Sequence, residues 1–431
     1  MRLLFLCHGH PDLQAGGTEI STRDLFQALA SQPGISGAFV AGVSALHRPQ
    51  SPGTALQAIG TAANEMLLWT AGFDRFHLSQ TDLHGVAPAL ETLLETVAPD
   101  VVHLHHLLLL GAETLQLIRR LRPAAKIVLT LHDYYAICAH EGTMLTTQGQ
   151  LCHQATPDAC LRCLPDRSAT DFRLRAVTLR HLLDQVDAFV APSEFLKARY
   201  VAWGLEPSRI SVIGNGLAPV AAAPHRNAGR GARDRFAFFG HINRFKGAKL
   251  ALAASARLSA DGIEHRLDLH GGTAFQTPEF LADFDRLLAA APMAQHHGAY
   301  TRDELAARIQ DADWVVVPSL WWENAPLVIQ EALAHRRPVI AADIGGMAEM
   351  VSHGTNGMLF RAGDPRSLAE TMARAASEPA LWRALVRGIT PPFPLERAVA
   401  AQLALYARLG VALPRAAAPL PRARAPRRRA A

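Results

Sequence analysis

Two α/β domains in tandem, each built on its own parallel sheet, are what this sequence predicts. Short apolar runs that end in glycine or polar residues alternate with stretches of helical periodicity through both halves of the chain. At 431 residues the chain is long for a single core. Residues 218–233, rich in Ala, Pro, Gly and Arg, interrupt it as a linker. The expected division is a first domain over 1–217, a second over 234–390, a closing helix within 391–410 and a tail over 411–431.

The first domain opens with the apolar run Arg2–Cys7, read as a buried strand, then a loop through Gly16 and Gly17 and a helix carrying Ile20, Leu25 and Leu29 at helical spacing. This is not a Gly-x-Gly-x-x-Gly fingerprint, which argues against a dinucleotide oxidoreductase. Residues 44–95 show little periodicity and read as helices and insertions shaping an acceptor cleft. Two further strands, within 100–106 and 126–133, end in polar residues. The carboxyl ends of parallel strands face the ligand crevice, so His103, His105, His106 and His132 should collect near one edge. A helix near 171–186, a strand over 187–191, Ser193 as a helix N-cap and a strand over 210–213 complete the domain.

The second domain begins with a strand running into Gly240, followed by Lys246 and Gly247, an arrangement suited to a diphosphate because glycine lets the ligand approach the backbone. A Lys on its own is an ordinary surface residue. Strands follow near 267–269, 314–317 and 337–342, with a short edge strand at 357–360 and a capping-box spacing from Thr301 to Glu304. Pro391, Pro392 and Pro394 interrupt the last helices before an amphipathic stretch over 395–409.

The most informative run is Trp314–Val317 with its continuation Pro318-Ser-Leu-Trp-Trp-Glu323-Asn324-Ala325-Pro326-Leu327-Val-Ile-Gln-Glu331. A buried strand stops abruptly and a helix starts near Pro326, a residue that needs no N–H partner there. Backbone amides near Asn324, Ala325 and Leu327 then lack intrahelical acceptors and suit a phosphate. Glu323 and Glu331 stand along one wall. Either acid alone reads equally well as a solvated loop residue or a first-turn acid.

The run resembles the Glu-x7-Glu signature of retaining glycosyltransferase family 4, with Ala325 where Ser is usual. The resemblance implies the GT-B fold: two Rossmann-like α/β domains facing across a cleft. It further implies that Glu323 contacts the transferred sugar, that Glu331 holds the ribose hydroxyls, and that His132 contacts a hydroxyl of the donor sugar. His105 is a weaker candidate for the same cleft. Gly16 and Gly17 resemble the family loop that closes over the donor phosphates. The run from Gly240 to Lys246 resembles its phosphate-binding loop, but His241 stands where the family has Arg, leaving Lys246 as the main cation and Arg244 as its substitute. The closing helix is expected, by resemblance, to cross back onto the first domain. The implied activity is sugar transfer from a nucleoside diphosphate sugar to a glycan or lipid-linked acceptor, with no metal needed for catalysis if these donors suffice. A nucleotide-sugar epimerase, a phosphorylase or a non-catalytic nucleotide-sugar-binding protein are the alternatives.

Composition, 49% hydrophobic and 19% charged, is that of a soluble globular protein. No apolar run approaches the roughly 20 residues that span a bilayer, and the first apolar run ends at His8, too short for a signal-peptide core, so a cytoplasmic location is expected. The formal charge of +5 is local: six of the 43 Lys and Arg fall in 415–431, leaving 37 against 38 acidic residues. No nucleic-acid partner is therefore expected. The Ala, Pro and Arg tail cannot build a core and reads as disordered; it either attracts an anionic membrane leaflet or merely solubilises. Of five cysteines, Cys7 lies in the first strand and the others form Cys138-x13-Cys152-x7-Cys160-x2-Cys163 within an insertion over 138–163. Two readings stay open, a structural zinc or four reduced thiols, with His140 and His153 as spare ligands.

Overall fold

The computed structural model describes residues 1–60, 62–226 and 231–414. Thr61, linker residues 227–230 and the tail over 415–431, with the disorder and membrane attraction expected of it, lie outside the described residues. Among the described residues there are two main sheets. The first holds β1 (Arg2–Cys7), β2 (Ser36–Val43), β3 (Leu56–Ala58), β4 (Glu65–Trp69), and, beyond the small antiparallel pair β5 (Phe73–Asp74) and β6 (Ser79–Gln80), β7 (Val101–Leu104), β8 (Lys126–Thr130), β9 (Ala188–Ala191) and β10 (Ile210–Val212). Its order is β10-β9-β8-β7-β1-β2-β4-β3, parallel except for β3. The second holds β11 (Arg235–Phe239), β12 (Arg266–His270), β13 (Ala294–His296), β14 (Trp314–Val317), β15 (Val339–Ala342) and β16 (Gly357–Phe360), in the order β13-β12-β11-β14-β15-β16, all parallel.

These strands form where they do because a parallel sheet covered on both faces demands near-continuous apolar sequence. Leu3, Leu4, Phe5, Leu6 and Cys7 are all fully buried, as are Trp314 and Val315. Where that signal is missing, the expectation and the structure part. Residues 44–80 are not helices: β3, β4 and the β5–β6 pair occupy them, and helix begins only at Leu83–Val97. The short edge strand β3 buries only Gln57, between half-buried Leu56 and exposed Ala58, and half-buried Met66 interrupts the buried run of β4, which dilutes the apolar signal. The edge strand β13, Ala-Gln-His, carries no apolar run at all.

The helix Leu395–Arg408 returns to the first domain. Ala398, Val399, Leu405 and Tyr406 join the core that holds Leu3, Phe5 and Phe26, and the Tyr406 hydroxyl lies 2.7 Å from His103 Nδ1. Backbone bonds from Leu217 to Phe393 and from Leu395 to Leu217 fasten the crossing.

Candidate active site

In the second sheet the strand order reverses between β11 and β14, the switch point at which the following loops splay apart and leave a crevice. The loop after β11 and the loop after β14 meet there. Asn243 Oδ1 accepts from the backbone N–H groups of Phe245 and Lys246 at 2.9 and 3.0 Å, which folds the first loop on itself. Leu320 N–H donates to the Phe245 carbonyl at 2.8 Å, joining the two loops. Gly247, at φ +76°, sits so close to the end of β14 that a Cβ would fall 1.9 Å from the Pro318 oxygen. Only glycine fits that contact.

This packing brings Lys246 Nζ to 2.7 Å from Glu323 Oε1. The same oxygen accepts from Ser319 Oγ at 2.8 Å and from Trp321 Nε1 at 2.9 Å. Burial pushes the Glu323 carboxyl up, but the Lys246 charge and these hydrogen bonds outweigh it and hold the group below the ordinary range, hence ionised. Glu331 lies further along the helix Leu327–Ala334, and burial pushes its carboxyl up against the opposing pull of Arg302.

Across the crevice, Gly17 opens the helix Gly17–Ala30, and a Cβ placed on it would lie 3.7 Å from the Leu327 side chain, so the Gly16–Gly17 turn and the second domain's helix start face each other. Asn324 Nδ2 donates to the His132 carbonyl at 2.6 Å. These pairwise contacts place Gly17 beside Leu327, His132 beside Asn324 and Lys246 beside Glu323 where the two domains meet, with Ala325 and Pro326 leading into the helix. The His132 ring pairs through Nε2 with His105 Nδ1 at 3.0 Å, and burial lowers its pKa to about 3, so it is neutral. Gly240, at φ +149°, opposes Gly271, whose Cβ would meet the Gly240 oxygen at 1.8 Å.

Arg244 departs from the expectation. Its guanidinium points out to Glu141 at 2.9 Å, with both side chains more than half exposed, and so does not reinforce Lys246. His241 is likewise turned away, its Nε2–H donating to the Ala274 carbonyl oxygen at 2.8 Å. Among the described residues no three His, Cys, Asp or Glu side chains are grouped to hold a metal ion. Cys138 and Cys152 instead direct their thiols at the His140 and Gln154 carbonyls. Burial raises the Cys138, Cys152 and Cys160 thiols, the last to about 12, so they stay protonated. The cysteine segment nevertheless touches the site's support, because Trp322 Nε1 donates to the Cys152 carbonyl at 3.2 Å.

The chain holds two Asp-x-Asp pairs, where the absence of such a motif was expected. Asp283, of the pair with Asp285, is bonded to Lys249 at 2.8 Å on the helix Pro278–Ala289. Asp313, of the pair with Asp311, is buried between Arg226 and Arg233 at the amino end of β14, opposite the crevice.

Of the first-domain wall, His106 was expected at the crevice edge, while His8, Glu19 and Asp133 were not singled out. His8 Nε2 lies 3.1 Å from Glu19 Oε1, and His106 pairs with Asp133. The His8 and His106 rings pack with centroids 4.2 Å apart. Burial lowers the His8 pKa, yet the Glu19 charge together with the hydrogen bonds to Cys7 and Glu19 outweighs it and leaves the group well above the ordinary value. The sequence signal was the placement of His8 after β1 and of Glu19 after the glycine pair, both at the crevice edge.

Residues 15–219 match the family profile described as Glycosyltransferase Family 4, and residues 233–378 match that described as Glycosyl transferases group 1. A D-inositol 3-phosphate glycosyltransferase of Thermobispora bispora is 28% identical over 316 residues, 69% of this chain and 67% of that protein. The counterpart from Nocardiopsis dassonvillei is 30% identical over 52% of this chain and 55% of its own length. Among solved structures, the sucrose-phosphate synthase of Thermosynechococcus elongatus superposes with a TM-score of 0.72 at 19% identity, over 95% of this chain and 99% of that one. Anabaena HepE in complex with UDP and glucose gives 0.65 at 16% identity, over 95% and 100%. Two facing parallel-sheet domains with this crevice define a glycosyltransferase of the GT-B fold. The chain belongs to glycosyltransferase family 4.

Proposed function

We propose that the protein transfers a sugar from a nucleoside diphosphate sugar to an acceptor hydroxyl with retention of configuration, in the assembly of a polysaccharide or a lipid-linked glycan. The observation that carries this reading is the buried Glu323 held ionised beside Lys246 at the switch point, directly before a helix N-terminus. When the glycosidic bond breaks, negative charge grows on the β-phosphate. Lys246, the amides at the start of Leu327–Ala334 and the Gly16–Gly17 backbone are pre-oriented to receive it. Glu323 stabilises positive character at the sugar ring, neutral His132 receives a sugar hydroxyl, and the departing phosphate takes the acceptor proton on the same face. This charge set supports a reaction without a catalytic metal.

Relatives named for an inositol phosphate acceptor and neighbours crystallised with UDP or UDP-glucose support the general chemistry. The direct test is a thermal-shift screen against UDP, GDP, ADP and their common sugars, with and without EDTA. A ligand bound only by the native state raises Tm, by about 2.7 kcal/mol of stabilisation at a hundredfold excess over Kd. One base standing out and insensitive to EDTA is expected. Isomerised donor would instead favour an epimerase, phosphate-dependent release a phosphorylase, and silence across the panel a non-catalytic protein.

Glu331 gives this reading a pH signature. Burial raises its carboxyl, and the ionised form is the stronger acceptor for ribose hydroxyls. As pH falls, nucleoside diphosphate affinity should therefore weaken at a higher pH than an ordinary glutamate would cause. Calorimetric titration across pH should show the fall in the natural protein and a flat profile in Glu331→Gln. Equal slopes in both would remove Glu331 from the ribose site.

A further inference from the structure

All three hydrogen bonds to the Glu323 carboxylate converge on one oxygen. Lys246 Nζ, Ser319 Oγ and Trp321 Nε1 reach Oε1 at 2.7, 2.8 and 2.9 Å, and no described residue hydrogen-bonds Oε2. The carboxylate is thus fixed in rotation with one oxygen saturated and the other free. Two of the donors are neutral and belong to the loop of Glu323 itself; the third is a cation from the neighbouring loop.

Trp321 sits where it touches both partners. Its ring packs on Phe245 with centroids 5.7 Å apart, and Lys246 Nζ lies 5.7 Å from the same ring centroid. The next residue does the reverse. Trp322 turns into the first domain, packs on Phe195 at 5.1 Å and donates to Cys152, so of two adjacent tryptophans one supports the domain contact and the other the carboxylate.

We propose that Trp321, assisted by Ser319, is a positioning residue that keeps Glu323 oriented and ionised after a diphosphate draws Lys246 away. This rests on the proposed transferase reading, in which one ammonium serves both the carboxylate and the phosphates. Burial works against the Glu323 charge, and without Lys246 its largest electrostatic support is gone. An indole N–H and a buried hydroxyl cannot be drawn off by phosphate in the same way, because neither carries charge and both are held within the loop. Oε2 then remains the oxygen presented to the sugar.

The test reads the indole directly and needs no donor. With tryptophan 15N-labelled, the six indole N–H signals are resolved and Trp321 is assigned by its loss in Trp321→Phe. Its signal should lie downfield, move upfield in acid as Glu323 is protonated, and lose that titration in Glu323→Gln. In Lys246→Ala, which stands for the departed ammonium, the signal should stay downfield. Its titration midpoint should rise by on the order of one pH unit relative to the natural protein, the scale of one charge-assisted hydrogen bond, and rise further with Ser319→Ala added. A Trp321 signal indifferent to Glu323→Gln, or one that reverts to the free-indole position in Lys246→Ala, would overturn the proposal. Because these arms use no nucleotide, they stand apart from the thermal-shift panel, whose silence would count against the transferase reading alone.

Discussion

Lys246→Ala is expected to leave the protein folded and to lower sugar transfer by about 10²–10³-fold, the scale for removing one pre-oriented donor from a developing negative charge. Two losses combine. The β-phosphate loses its cation, and Arg244 cannot replace it because its guanidinium faces Glu141 on the outside. Glu323 loses the charge that most lowers its carboxyl while its burial is unchanged. The sign follows: a carboxylate that works only when ionised is active above its pKa, so raising that pKa moves the acid limb of the rate profile to higher pH. Residual activity in Lys246→Ala should therefore fall off at a higher pH than in the natural protein. Glu323→Gln should be at least as damaging and should show no such limb, since no carboxyl remains. Circular dichroism and Tm check folding in each case. Full activity in either variant would remove both residues from the reaction.

What could be read ahead of the structure follows the physics of each signal. Strands buried on both faces must be continuously apolar, so β1 and β14 announced themselves, and with them the crevice at their carboxyl ends. The edge strands β3 and β13 carry polar or mixed residues, because an edge is free to expose one side. At the site, Lys246 and Glu323 were legible because the chemistry needs those types at those loop ends. Arg244 was misplaced because its partner lies 103 residues earlier in sequence. Trp321 and Trp322 are identical in type and adjacent, and only the domain contact decides which indole reaches Glu323 and which reaches Cys152. The same limit applies to the Asp-x-Asp pairs, whose spacing alone does not say that one lies within a helix and the other before the amino end of a strand.

Arg337→Ala carries the largest expected loss of stability. Arg337 is fully buried, yet its guanidinium meets no carboxylate. It donates to five backbone carbonyls: Ala312 at 2.9 Å, Ala223 at 3.1 Å, His335 at 2.6 Å, Pro224 at 2.6 Å and Gln310 at 3.2 Å. Burial lowers its pKa to about 10, still far above neutrality, so the group remains charged. Two of these carbonyls belong to the linker and two to the approach to β14, so one side chain clamps the linker onto the second sheet. Truncation leaves five acceptors short of a donor and a cavity besides, a loss of about 3–5 kcal/mol when the loop relaxes only in part. For a domain of this size that lowers Tm by roughly 10 °C. Arg337→Lys, which keeps the charge but has no planar fork, should fall in between. Because Arg337 precedes β15, at the sheet edge opposite the crevice, nucleotide affinity of the folded variant should be unchanged at low temperature. A Tm within 2 °C of the natural protein, on the order of 1 kcal/mol or less, would mean that water or a shifted linker satisfies those carbonyls and that the clamp contributes little.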